Sequence, residues 1–319
     1  AAQGVGRRRG RRFGRIERAG TGPTASEDAC VWRWYHAGGL DTREPEPLSS
    51  GLDPIALFQQ HFYSLSPPSI ISVPGRVNLI GEHIDYHNLP VLPMAIQRHI
   101  RIAFRPRKDR RIRAVSRQFG SREFEWNGPL EPSAAGDWVN YVKAAAQAVD
   151  GKWKTSVGID AAVASDLPAA AGLSSSSALL TAFTLALLAA NRIRASFEEL
   201  MEVLPEGEYF VGTRGGGMDH AAVLAPDPGC ALLVHFSPLS AESIPVPRDW
   251  AFLVAHSMVA AEKSGEVREK YNSRRVAGST ALKTVGFDSY GQAVSRHSFE
   301  DLKRLAAEKL DGDELKCFL

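Results

Sequence analysis

Four consecutive serines at positions 174–177 constrain the fold of this chain more than any other feature. They follow a stretch of small residues and Gly172, and they lead without a break into an apolar run at 178–190. This pattern predicts a buried helix whose N-cap and first turn are the serines. The start of a helix presents unpaired N–H groups and a partial positive charge, so it favours anions, and small residues let a phosphate approach the backbone. The segment is therefore a candidate phosphate loop of a nucleotide site.

The same pattern also occurs at helix starts that bind nothing, because serine is a common N-cap. The segment is not a Walker P-loop, since no Gly-Lys-Ser/Thr follows at the required spacing. It is not a dinucleotide fingerprint either, since the Gly-x-Gly-x-x-Gly spacing is missing. A nucleotide site therefore needs support from other segments of the chain.

The composition favours a reduced intracellular protein. With 319 residues and 44% hydrophobic residues, the chain can bury one large core or two modest ones. Its three cysteines lie far apart and show neither a disulfide framework nor a metal-binding spacing. The apolar run at 178–190 is too short to span a bilayer, and the N-terminus shows no signal-peptide pattern. We expect a cytoplasmic, monomeric protein without a membrane partner.

The positive charge of the chain is concentrated at its N-terminus. Residues 1–18 carry seven arginines against one glutamate, so removing their +6 from the net charge of +2 leaves −4 on the remainder. A mildly acidic body argues against a fold that binds nucleic acid. The Gly/Arg-rich composition predicts that residues 1–50 form a disordered basic extension.

From residue 53 the pattern becomes globular and mixes helices with strands. Helices are predicted at 54–62, 138–149, 178–190 and 196–204, and strands at 70–73, 91–104, 157–163, 230–236 and 251–255. These elements neither alternate strictly nor segregate, which predicts an α+β chain of two lobes.

Polar residues are unusually dense in the segment at 74–86. Within eleven positions it contains Arg76, Asn78, Glu82, His83 and Asp85, between apolar runs that must be buried. Carboxylates accept hydrogen bonds from vicinal hydroxyls, so the segment suits a polyhydroxylated ligand. A cation held by Glu82, His83 and Asp85 is the alternative, although this spacing is weak for a metal site.

A third segment places an aspartate behind three glycines. Asp219 follows the glycines at 215–217 and precedes an apolar run at 221–224. The glycines allow backbone conformations that are closed to other residues. A flexible turn with a surface aspartate is the alternative, but the apolar run predicts that Asp219 begins a buried element.

Together the three segments resemble the motifs of the galactokinase family within the GHMP kinase superfamily. Residues 74–86, PGRVNLIGEHIDY, are similar to its sugar-binding signature, the serine segment to its ATP motif, and GGGMDH at 215–220 to its catalytic aspartate motif. Weaker similarity at 137–143 and 269–275 extends the resemblance over most of the globular chain.

The resemblance implies a two-lobed GHMP kinase fold of the α+β class. Residues 51–205 would form the N-terminal lobe, which is like domain 2 of ribosomal protein S5. Residues 206–319 would form an incomplete ferredoxin-like C-terminal lobe, because the family's third, glycine-rich motif is not found after Gly217. We expect a chain that is truncated in this lobe, and therefore poorly stable or poorly active, since a half-built lobe exposes apolar surface.

The implied activity is transfer of the γ-phosphoryl group of ATP to the anomeric hydroxyl of galactose, with Mg²⁺ as cofactor. Asp219 would serve as base or orienting carboxylate, and Arg76 would lie between it and the phosphoryl group. The other implied site residues are Glu82, His83, Asp85 and Tyr271 for the sugar, Gly172, Ser174, Ser175 and Ser176 for the nucleotide, and Ser176 with Glu208 for the metal. Glu206, two residues earlier, is the competing metal carboxylate.

Departures from the family pattern leave the substrate open. Ile84 stands where many galactokinases have threonine, and His220 where glutamine is usual. Together with the fourth serine, Ile84 leans toward the N-acetylgalactosamine kinases. A catalytically silent regulator that binds galactose and ATP is a further alternative. A GHMP kinase for mevalonate or homoserine would not need the polar loop at 81–86.

Overall fold

The computed structural model describes residues 53–63, 67–255 and 266–319. The basic extension predicted for residues 1–50 lies outside this part of the chain. In chain order the elements are α1 Pro54–His61, β1 Ser69–Ile80, a 3-10 turn Asp85–His87, β2 Leu92–Pro106, β3 Arg111–Ser116, β4 Gly120–Glu125, α2 Val139–Trp153, β5 Ile159–Ser165, α3 Ser175–Ala190, α4 Phe197–Phe210, α5 Met218–Leu224, β6 Cys230–Phe236, β7 Leu239–Pro245, α6 Glu266–Val285, α7 Tyr290–Arg296, α8 Phe299–Lys309 and α9 Gly312–Phe318.

Five strands form one mixed sheet in the order β1-β2-β5-β3-β4. Strand β1 runs antiparallel to β2, β2 antiparallel to β5, and β5 parallel to β3, which pairs with β4. The β1–β2 register shifts between Pro74 and Arg76 and again between Asn78 and Ile80. Such irregularities bend a strand and redirect its side chains. They bracket the portion of β1 that carries Arg76.

The main hydrophobic core lies between this sheet and helices α2, α3 and α4. Helix α3 is apolar on nearly all sides, and its residues from Ser177 onward are mostly buried. A helix of this kind belongs inside a protein rather than on its surface. On the opposite face of the sheet, Leu57 and Phe58 of α1 pack against Ala103 and Ala162. None of the helices in the described ranges is both long enough and apolar enough to cross a membrane.

A second, smaller core lies among helices α6 to α9. It includes Ala281, Leu282, Tyr290 and Ala306, and Leu89, which follows the 3-10 turn, packs against it. The hairpin β6–β7 belongs to the main core and meets the chain before β2 through a bridge between Val91 and Val234.

The structure confirms most of the elements predicted from the sequence. The four helices predicted up to residue 204 are present as α1, α2, α3 and α4, and Ser174 is the N-cap of α3. The strand predicted at 251–255 is wrong, because these residues are exposed and pair with no strand in the described ranges. Within residues 206–319 the strands of the described chain are β6 and β7, which form a two-stranded sheet, and helices follow them. The lobe boundary at 205/206 lies within α4 and remains a prediction.

Candidate active site

Arg76 and Asp219, which are 143 positions apart in the sequence, form a close ion pair. The Nε and Nη2 atoms of Arg76 lie 2.7 and 2.6 Å from Oδ1 of Asp219. The two side chains are only 12% and 15% exposed, so water screens the pair little. The Nη1 atom of Arg76 donates to the carbonyl oxygen of Gly172 at 2.8 Å. Arg76 therefore connects the Asp219 carboxylate to the serine loop, as the sequence predicts.

The serine loop reaches α3 through two residues in the left-handed backbone region. Gly172 has φ 73° and Ser174 has φ 57°, and the Ser174 carbonyl accepts the amide of Ala178 at 2.9 Å. The Oγ atom of Ser174 is buried and has no hydrogen-bond partner within the described residues. Buried hydroxyls normally have a partner, so this atom suits contact with a ligand or water.

A cleft of about 1750 Å³ opens beside the serine loop. Its walls combine the polar loop with apolar and aromatic side chains, which is the usual composition of a small-molecule site. The hydroxyl and the apolar or aromatic side chains in this lining include Ser174, Ser175, Ser176, Trp138, Tyr141, Leu179, Tyr209 and Phe210. The cleft thus offers hydroxyls and a helix N-terminus at one end and flat apolar surfaces for a nucleobase.

Asp85 holds the glycine loop that precedes Asp219. Its Oδ2 atom accepts the amides of Gly216 at 3.1 Å and Met218 at 3.3 Å. Asp85 is 7% exposed, and this burial, together with the nearby charge of Asp219, raises the pKa of its carboxyl group. The contact fixes where α5 begins, and with it the position of Asp219.

An aromatic cluster stands beside this loop. The Nδ1 atom of His83 lies 2.8 Å from the hydroxyl of Tyr86, and its ring centroid is 5.1 Å from that of Tyr271. Burial and the charge of Arg274 lower the pKa of His83, so the imidazole is neutral near pH 7. Burial likewise raises the pKa of Tyr271. The cluster therefore presents neutral hydrogen-bonding groups, which suits an uncharged polyol.

Glu82 differs from the other predicted sugar residues because it is exposed. Its Oε1 atom accepts a hydrogen bond from Nδ2 of Asn78 at 3.0 Å. The metal alternative for this loop gains no support, since no three His, Cys, Asp or Glu side chains are grouped to hold an ion anywhere in the described ranges.

Glu208 is the buried member of the pair Glu206 and Glu208. It is 4% exposed, whereas Glu206 faces solvent. Its Oε1 atom accepts a hydrogen bond of 2.5 Å from Oγ of Ser177, which also lies 3.4 Å from Oδ2 of Asp219. Ser176 instead lines the cleft. Sequence reasoning missed Ser177, although its place in the serine run was the available signal.

Asn272 is a second residue that sequence reasoning missed. Its Nδ2 atom donates to the carbonyl of Gly212 at 2.9 Å, and its Oδ1 atom accepts the amide of Arg214 at 3.2 Å. Arg275 adds a hydrogen bond to the carbonyl of Arg214 at 3.0 Å. Helix α6 thereby anchors the start of the glycine loop. The weak motif at 269–275 contained this signal.

Two family models match the chain. The galactokinase galactose-binding signature matches residues 56–106 and the GHMP kinase N-terminal domain matches residues 140–226. The first range contains Arg76 and the polar loop. The second contains the serine loop, Glu208 and Asp219.

Curated relatives and a solved structure agree with these matches. A galactokinase of Chloroflexus aurantiacus is 35% identical over 231 residues, which are 72% of this chain and 58% of that protein. A galactokinase of Saccharomyces cerevisiae is 31% identical over 269 residues, covering 76% of this chain and 51% of that protein. The chain thus spans between half and three fifths of the length of these relatives. The crystal structure of Lactococcus lactis galactokinase complexed with galactose superposes with a TM-score of 0.70 at 23% identity, over 83% of this chain and 69% of that one. It shares the fold, and the chain belongs to the galactokinase family of the GHMP kinases.

Proposed function

We propose that the protein transfers the γ-phosphoryl group of ATP to the anomeric hydroxyl of D-galactose, giving galactose 1-phosphate. The observation that carries the proposal is the position of Arg76, which contacts both the Asp219 carboxylate and the carbonyl of Gly172 in the serine loop. A phosphoryl donor on that loop and an acceptor hydroxyl at Asp219 would therefore meet at Arg76. The curated relatives are galactokinases, and the solved neighbour is described as binding galactose.

In this proposal Asp219 orients the anomeric hydroxyl and accepts its proton as the new bond forms. Arg76 stabilises the carboxylate and the charge on the transferring group, because its guanidinium is always protonated. Phosphoryl transfer through a loose transition state depends mainly on positioning, so the rigidity of this ion pair matters as much as proton transfer.

The nucleotide would lie in the cleft, with its phosphates at the N-terminus of α3. Gly172, Ser174, Ser175 and Ser176 would surround them, and the orphaned hydroxyl of Ser174 supports this placement. Ser176 and Glu208 offer the hard oxygen donors that Mg²⁺ prefers and would hold it together with the phosphates. Bound there, the ion would neutralise phosphate charge.

The sugar would bind beside Asp219 among Glu82, His83, Asp85 and Tyr271. Neutral His83 and Tyr271 can exchange hydrogen bonds with hydroxyls, and exposed Glu82 would close the site from outside. Ile84 and the fourth serine favour N-acetylgalactosamine as a second substrate. The free thiols of Cys230 and Cys317 support a cytoplasmic location as part of the same proposal.

The test is ADP release with a panel of sugars, comparing wild type with Asp219→Ala. We expect galactose-dependent turnover that falls about a hundred- to thousandfold in the variant, as when a central polar group of a transition state is removed. Asp313→Asn, an exposed change in α9, is the control and should leave turnover unchanged. Binding of galactose and ATP without turnover in wild type would instead identify a silent regulator and refute the kinase proposal.

A further inference from the structure

The carboxylate of Glu208 is buried, and two side chains reach the same one of its oxygens. Oε1 lies 2.5 Å from Oγ of Ser177 and 3.7 Å from Nε2 of His220. Glu208 is 4% exposed, Ser177 0% and His220 1%. A buried carboxylate is tolerated only when its oxygens have partners, and the hydrogen bond from Ser177 holds this group in a defined orientation.

The environment of His220 directs its Nε2–H toward Glu208. Its Nδ1 atom lies 3.3 Å from Oγ1 of Thr181, which is also buried. In the tautomer in which the threonine hydroxyl donates to Nδ1, the ring proton is on Nε2 and faces Oε1. The 3.7 Å between Nε2 and Oε1 is longer than a hydrogen bond, so this contact is electrostatic. Ser177 therefore holds Oε1 by a hydrogen bond, and His220 faces the same oxygen at longer range.

The other oxygen of Glu208 faces the glycine loop. A Cβ atom at Gly215 would lie 3.3 Å from Oε2 and 4.0 Å from the hydroxyl of Tyr271, so the missing side chain leaves space there. Asp219 differs from Glu208, because it is partly exposed and both of its oxygens face donors: Arg76 holds Oδ1, and Oγ of Ser177 lies 3.4 Å from Oδ2. In Glu208 the oxygen fixed by a protein donor is Oε1.

We propose that Ser177 and His220 are positioning residues that hold Oε1 of Glu208, so that Oε2 is oriented to bind the divalent cation that accompanies the nucleotide. The inference rests on the cation and nucleotide sites of the proposed function. It concerns neither the sugar nor the transfer step. Ser177 and His220 would not ligate the ion themselves, and their effect would pass through Glu208.

The test is a titration of Mn²⁺ into protein and ATP, with free Mn²⁺ measured by electron paramagnetic resonance. Removing a residue that orients a metal ligand typically weakens metal affinity about 10- to 100-fold. We therefore expect Ser177→Ala and His220→Leu to raise the apparent Kd for Mn²⁺ by at least about tenfold. His220→Gln, which keeps an N–H donor of similar reach, should recover most of this loss. ATP affinity without metal should stay at the wild-type value in all three.

Thr184→Val is the matched control, because it removes another buried hydroxyl from α3. The Thr184 hydroxyl makes no hydrogen bond to Glu208 in the described structure. An unchanged Mn²⁺ affinity in Ser177→Ala and His220→Leu would overturn the inference, and so would an equal loss in Thr184→Val. If His220→Leu does not fold, Ser177→Ala and His220→Gln decide the question, since both preserve the local volume closely.

The outcome is separable from the proposed function because the titration needs no turnover. Loss of Mn²⁺ affinity in a protein that does not phosphorylate galactose would support the positioning role and refute the sugar kinase. If wild type phosphorylates galactose and Ser177→Ala and His220→Leu keep wild-type Mn²⁺ affinity, the sugar kinase is supported and the positioning role is refuted.

Discussion

Gly216 has no room for a side chain, and its replacement by alanine tests how Asp219 is positioned. A Cβ atom there would lie 2.2 Å from the backbone nitrogen of Tyr86 and 2.4 Å from the carbonyl carbon of Asp85. Ordinary van der Waals contact begins at 3.4 Å. Backbone atoms cannot rotate away from a clash. The glycine loop and the sugar loop must therefore separate by about 1.2 Å, the difference between 3.4 and 2.2 Å.

That separation would break the two hydrogen bonds that Asp85 accepts from the loop, which are 3.1 and 3.3 Å long. Hydrogen bonds to a charged group contribute about 1.5–3 kcal/mol each, and the lower value applies here because both bonds are long. The expected loss is about 3 kcal/mol, or about 6–12 °C in Tm for a domain of this size. A displacement of about 1 Å at a catalytic group also costs about a hundredfold in rate.

The assay combines thermal unfolding with kcat for ADP release. Gly151→Ala is the control, because no atom lies within 4 Å of the added Cβ and the residue sits inside α2. It should gain about 0.5–1 kcal/mol in stability and keep its kcat. Wild-type Tm and kcat in Gly216→Ala would refute the close packing of the two loops. A lower Tm with unchanged kcat would refute the link between this packing and Asp219.

Two further predictions concern Asn272 in α6 and His87 in the 3-10 turn. Asn272→Asp keeps an acceptor but cannot donate to the carbonyl of Gly212, so we expect kcat/KM to fall about tenfold, a cost of about 1.4 kcal/mol. The control is Ser273→Ala, at the exposed neighbouring position. An effect of Asn272→Asp no larger than that of the control would contradict the role of Asn272 in anchoring the glycine loop. Burial, and then neighbouring positive charges, lower the pKa of His87 in the folded protein below its usual 6.5. As the pH falls, the imidazole of His87 is therefore protonated in the unfolded chain before it is protonated in the folded protein. The free energy of unfolding consequently falls as the pH drops below about 6.5. The measurement is the free energy of unfolding as a function of pH, from denaturation curves. His87→Gln should reduce the slope of this dependence, and the exposed control His235→Gln should not. Equal slopes in the two variants would refute the attribution of the pH dependence to His87.

The contact between Arg76 and Asp219 could be predicted because the resemblance to the galactokinase family brings together the two motifs that contain these residues. It could not distinguish Ser176 from Ser177 as the partner of Glu208. Neighbouring helical residues point about 100° apart, and helix starts are uncertain by one or two residues. The choice therefore depends on the exact start of α3, which packing decides.

The wrong strand at 251–255 has a different cause. An apolar run resembles a buried strand whether or not a partner strand exists, and periodicity does not report hydrogen-bond partners. The role of Asn272 was harder to predict, since the weak motif at 269–275 marks the segment but does not show that this side chain binds the backbone of a distant loop.

The small core of helices α6 to α9 makes the sugar side of the site depend on a hydrophobic core separate from the main one. Tyr271 and Asn272 reach the loops from α6, whose remaining anchors are in that core rather than under the sheet. Helix α6 also lines the nucleotide cleft, so opening of this core would loosen both sites while the main core is still folded. Substitutions at distant positions such as Ala306 would then first appear as weakened ligand affinity, before the molecule as a whole unfolds.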